Sequence, residues 1–146
     1  GAGPRTVVYD AAHGRLIVVN SGLTLGSERT LSLIDLATGT VTAQKLPGFV
    51  DFQRPQSAVL VGGFLYLTDY VSQVVKLDLA TFTEVGRVPV GAYPVFLAHA
   101  EGQLYVPLPR VLQGGDKVAV VRLDTLTLTQ AIPVGSAPWH LVAEKF

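Results

Sequence analysis

The sequence predicts an all-β chain built of repeated four-stranded antiparallel meanders, and three observations carry that reading. First, a unit of 43 to 44 residues recurs: Thr38, Thr81 and Thr125 keep that spacing inside related Leu-x-Thr-x-Thr strings, and Gly48, Gly91 and Gly135 keep it again. Second, Val, Thr and Tyr alternate with polar residues in short runs, which suits a pleated strand with one side chain up and the next down. Third, no segment has a 3.6-residue apolar period long enough for a helix.

Each unit reads as four strands. The first follows a proline, over residues 4–9, 55–60, 94–99 and 138–143. A tight turn follows in three units, at Ala12-His13-Gly14, Gly62-Gly63 and Glu101-Gly102, where glycine accepts a positive φ without a Cβ clash. Second strands fall at 16–19, 65–68 and 104–106, third strands at 31–36, 74–79 and 118–123, and fourth strands at 41–46, 84–88 and 128–132. Asp35, Asp78 and Asp124 sit at the turns between third and fourth strands, where a carboxylate accepts nearby backbone N–H groups. A four-stranded unit of this length is a β-propeller blade. The chain is thus expected to be one partial propeller domain over 1–146, with repeats at about 4–48, 55–91 and 94–135 and the first strand of a further blade at 138–146. Closed propellers hold about 4–8 blades. The arc is therefore expected to be joined by the remaining blades of a longer propeller or by a second copy of itself. Met is absent, which fits a processed chain or a piece of a longer one.

Ile17-Val18-Val19-Asn20, Tyr66-Leu67-Thr68-Asp69 and Ile132-Pro133-Val134-Gly135, with Leu33-Ile34-Asp35 and Leu77-Asp78, resemble the YVTN-type β-propeller repeat. Two positions depart from it: Val106-Pro107-Leu108 stands where the Thr-Asn falls, and Arg122 where the Asp falls. The resemblance implies an extracytoplasmic location, in the periplasm or at the cell surface. Relatives by fold include lactone hydrolases and quinone- or haem-associated dehydrogenases, whose ligands point into the channel, but no matching ligand motif occurs here.

Composition narrows the function. Eleven basic and eleven acidic residues cancel and no basic run occurs, which argues against a nucleic-acid surface. No apolar stretch reaches the roughly 18 residues of a membrane helix. Cys is absent, which removes thiolate chemistry and Cys-based metal sites. Nucleophile-elbow, zinc-protease, P-loop and dinucleotide motifs are absent, so neither catalysis nor a cofactor is expected.

The links between second and third strands and between units vary in length, and a meander brings them out on one face, around the channel mouth. Arg54, Tyr93, Phe96, Trp139 and His140 are expected there, as a site for a protein, glycan or small ligand. Tyr93, Phe96 and Trp139 also suit the wedges between blades. His13 reads as a solvated turn residue and His99 and His140 as structural; Arg29, Arg54 and Arg110 on the variable face could receive an acidic ligand but read rather as solvated arginines. Gly114-Gly115-Asp116 reads as a flexible turn. The expected function is a non-catalytic binding or scaffold module. The alternatives are part of a propeller enzyme whose channel site needs further blades, or a structural protein of the cell envelope.

Overall fold

The computed structural model describes residues 1–24, 26–49, 52–109 and 116–142. They form three four-stranded antiparallel sheets and no helix. The first sheet is β1 (Pro4–Asp10), β2 (Arg15–Asn20), β3 (Thr30–Asp35) and β4 (Val41–Lys45). The second is β5 (Ala58–Val61), β6 (Phe64–Thr68), β7 (Gln73–Asp78) and β8 (Thr83–Pro89). The third is β9 (Ala98–Ala100), β10 (Gln103–Leu108), β11 (Lys117–Arg122) and β12 (Thr127–Pro133). Every sheet is a simple meander in chain order, so each is one propeller blade.

Period two in the middle strands decides how the blades stack. In β6, Leu65 and Leu67 point to the first blade and meet Ile17, Val19, Leu31 and Leu33. Phe64 and Tyr66, one residue out of step, point to the third blade and meet Leu104, Val106 and Val121. A middle strand is therefore buried on both faces, unlike a half-exposed antiparallel sheet. Lys76 is paired across the ladder with Tyr66 and lies in this second wedge, with its ammonium 4.0 Å from the centre of the Phe64 ring. Conversely β4 and β12 are exposed along their whole lengths, as outermost strands. The first blade leaves its other face open, with Val7 58% and Tyr9 59% exposed.

The turns follow the repeat. Gly62-Gly63 and Glu101-Gly102 both have two positive φ values, as a tight hairpin requires. Asp35 Oδ1 accepts the N–H groups of Ala37 and Thr38 at 3.0 and 2.8 Å, and Asp78 Oδ1 accepts those of Ala80 and Thr81. The Thr38 N–H holds the Asp35 carboxyl below its ordinary pKa. In the third blade Arg122 occupies the aspartate's place and pairs with Asp124, two residues on, which accepts the Thr125 N–H. Gly39, Phe82 and Leu126 share one repeat position and all take φ between 51° and 71°. Phe82 and Leu126 hold this costly conformation with side chains packed on the two apolar clusters.

Some expectations need correction. The first strands of the second and third blades begin at Ala58 and Ala98, three and four residues after their prolines. Proline has no N–H, and in the third blade Pro107 stands where Thr68 donates to Ser57 O in the second, so Phe96 O gains no such bond. Residues 138–142 carry no strand, since no second strand lies beside them among the described residues, and 143–146 lie outside those described. Arg29 is not solvated: it is buried, with Nε donating to Gln53 O at 3.2 Å and Nη1 to Ser27 O. His13 is exposed but not free, because its Nδ1 lies 2.9 Å from Asp10 Oδ2. Arg110 and Gly114-Gly115 lie outside the described residues, while Asp116 Oδ1 accepts the Ala137 N–H.

Two predictions follow from the packing. Leu67→Ala opens a cavity between the first two blades and should cost about 2–5 kcal/mol in urea unfolding, whereas Val41→Ala on the exposed outer strand should stay within about 0.5 kcal/mol. Burial raises the pKa of Asp10, but hydrogen bonds from Arg15 and His13 outweigh it and leave the carboxyl below its ordinary value. Asp10 therefore stabilises the fold above the ordinary carboxylate range and loses that contribution as pH falls through its depressed value. Asp10→Asn should be less stable than the parent at pH 7, with the gap closing in unfolding curves taken at acid pH.

Candidate functional site

The proline that opens each unit also marks the site. The two residues after Pro4 are Arg5 and Thr6; after Pro55 they are Gln56 and Ser57. After Pro94 they are Val95 and Phe96, and after Pro138, Trp139 and His140. All four pairs line one open cavity of about 490 Å³, with Arg54 and Tyr70 completing it. It lies at the start of the first strands, the end from which the variable links emerge, and β1 runs beside β5 there. The fourth unit takes its place without a ladder: Ala137 has φ 54° before Pro138, as Tyr93 has φ 57° before Pro94.

Backbone pairing holds these segments. Arg54 N–H donates to Asp69 O at 2.8 Å and Gln56 N–H to Thr68 O at 3.2 Å. Buried Ser57 ties two blades together, because its hydroxyl accepts the Leu97 N–H at 3.1 Å while its own N–H reaches Thr68 Oγ1.

Asp69 organises one wall. It is fully buried, and its Oδ1 accepts the N–H groups of Val71, Ser72 and Gln73 at 2.9, 2.8 and 2.8 Å. Its Oδ2 accepts from Gln53 Nε2 at 3.1 Å. Gathering three donors on one oxygen closes a turn in which Tyr70 takes φ 64°. Tyr93 packs edge-on against the Tyr70 ring, with centroids 5.8 Å apart. In the first blade Asn20 holds the matching place and bonds Ser32 Oγ at 2.9 Å; in the third, Leu108 is apolar and buried.

The lining is lopsided in charge. Among the described residues, Arg5 and Arg54 are its guanidiniums and no carboxylate lines the cavity. Arg5 Nε donates to Ser21 Oγ at 3.1 Å, while the Arg54 guanidinium has no partner among the described residues. The Phe96 and His140 rings lie 4.9 Å apart, and Trp139 is 55% exposed. Of the expected residues, Arg54, Phe96, Trp139 and His140 line the cavity together, whereas Tyr93 touches it only through its packing on Tyr70. Arg5, Gln56 and Tyr70 were not expected; the recurrence after proline was the signal for the first two. His99 lies away from the cavity on β9, opposite Leu104. Among the described residues no three His, Asp or Glu side chains gather as metal ligands.

No protein-family model matches the chain, and no curated protein matches it. Solved structures do. Hydrazine synthase of Kuenenia stuttgartiensis superposes with a TM-score of 0.75 at 18% identity, over 92% of this chain and 36% of that one. Apo AztD from Citrobacter koseri gives 0.64 at 16%, over 96% and 49%. A chain of a mitotic checkpoint complex gives 0.68 at 13%, over 91% and 37%. The chain thus spans between about a third and a half of these neighbours, and the likeness is one of propeller fold.

The Asp69 turn gives a test internal to this chain. Asp69→Ala strands three backbone donors and should destabilise by at least about 2 kcal/mol in urea unfolding, while Asp69→Asn, which keeps one acceptor oxygen, should lose less.

Proposed function

We propose that this chain is a β-propeller arc of the YVTN type that works as a non-catalytic binding module, with the channel-mouth cavity as its ligand site. One observation carries the reading. The same two positions after the repeat's proline face the cavity in all four units, yet they hold Arg-Thr, Gln-Ser, Val-Phe and Trp-His. The threonine of the outer turn, by contrast, is the same in all three blades, at Thr38, Thr81 and Thr125. Variation at positions that converge on one cavity is the pattern of a site grafted on a scaffold. The buried polar residues Asn20 and Asp69, at matching places in two blades, support the YVTN reading. An extracytoplasmic location belongs to the same proposal.

The open face of the first blade, with exposed Val7 and Tyr9, is the partner surface. Leu16 and Val18 occupy on it the ladder places that Leu65 and Leu67 occupy in the buried junction with the first blade, so a further blade fits there. That blade comes from a longer propeller or from a second copy, and the checkpoint-complex neighbour supports pairing with other chains.

Two measurements test this. A ligand-observed NMR fragment screen should find binders that Trp139→Ala and Arg54→Ala weaken about tenfold or more while the unfolding midpoint stays put; loss of folding in both variants would make these residues core and remove the site. Light scattering on a sizing column should read twice 15.5 kDa if two arcs pair, and 15.5 kDa if the missing blades belong to a longer chain.

A further inference from the structure

From the same cavity, and resting on the binding reading above, we infer its ligand class: an organic carboxylate with an aromatic body. The chain as a whole is neutral, but this cavity is not. Among the described residues, two arginines line it and no carboxylate does. Asp69, next to the lining Tyr70, is buried, with both oxygens occupied by N–H donors. Its charge therefore serves the turn rather than the cavity.

Arg54 is half-buried and its guanidinium has no partner among the described residues. A partly buried cation without a counterion is costly, and it is relieved by a bound anion. A planar guanidinium matches a carboxylate through two parallel N–H···O bonds. Arg5 already spends its Nε on Ser21 Oγ, and the hydroxyls and amide of Thr6, Ser57 and Gln56 are neutral, so Arg54 is the one guanidinium of the lining without a hydrogen-bond partner among the described residues, which suits a singly charged group. Tyr70, Phe96 and Trp139 are aromatic members of the same lining, and a half-exposed indole has room to stack on an aromatic ligand.

Trp139 is the one tryptophan of the chain, so its fluorescence reports on this cavity directly. The experiment titrates the full chain with N-acetylphenylalanine, its carboxamide and phenyl phosphate. The acid should change Trp139 emission saturably and bind at least tenfold more tightly than the amide, with affinity falling as salt is raised. Arg54→Gln should erase the preference for acid over amide while leaving the unfolding midpoint unchanged, and Arg122→Gln, on the far turn, should leave the preference intact. A short peptide ending in phenylalanine distinguishes the sources: tighter binding than the single acid points to a protein C-terminus, equal binding to a free metabolite. Equal affinity of acid and amide overturns the inference and leaves the binding reading standing. Tighter binding of phenyl phosphate overturns it in favour of a phosphate ligand. No response to any of the three probes overturns it as well, and the fragment screen then decides the binding reading separately.

Discussion

Face-to-face burial of one blade against the next is the constraint on which the rest of this molecule depends. A single four-stranded meander has two apolar faces and no interior. Here the middle blade covers both, with Leu65 and Leu67 on one side and Phe64 and Tyr66 on the other. At about 25 cal/mol per Å² of apolar surface removed from water, stacking of this kind supplies the main favourable term in a chain without disulfides. It also sets the rotation from blade to blade, and hence where the innermost segments arrive.

Side-chain oxygens do the work that backbone ladders leave undone. Each junction between strands interrupts the pairing of N–H and C=O groups, and buried ones need partners. Asp35, Asp78 and Asp124 take up those donors at the outer turns, and Asp69 takes up three at the channel mouth. The outer aspartates are exposed and repeat, so they serve every blade alike. Asp69 is buried and differs from its counterparts Asn20 and Leu108. The wall it shapes is accordingly peculiar to the second blade, which is where Tyr70 enters the cavity.

The propeller architecture leaves its inner edge free to vary. The residues that follow each proline sit ahead of the regular ladders, so exchanging them disturbs no strand pairing. Their backbone is held from the side, by bonds such as Gln56 N–H to Thr68 O, and their side chains are left to the cavity. Charge follows from this freedom. Among the described residues, a chain of balanced composition presents two guanidiniums and no carboxylate at this cavity, while Asp35, Asp69, Asp78 and Asp124 hold turns.

Much of this was legible in the one-dimensional order of residues. The 43 to 44-residue period, the glycine turns and the Thr-rich turns predicted thirteen strands, of which the twelve of the three blades are present, since alternation and turn chemistry are local properties. Four of the residues the same order singled out, Arg54, Phe96, Trp139 and His140, line one cavity. That order read Arg29 as solvated when a carbonyl-lined niche buries it, and it gave no sign that Tyr93 would pack on the Tyr70 ring rather than line the cavity itself. The late start of the third blade's first strand depended on Pro107, a ladder partner about ten residues away. Local sequence thus determined the blades and their turns, because backbone geometry over a few residues suffices for both. Tertiary structure decided which side chains share the cavity. Arg5, Arg54, Phe96 and Trp139 are brought together by the angle at which packed sheets meet, and that angle belongs to no single segment.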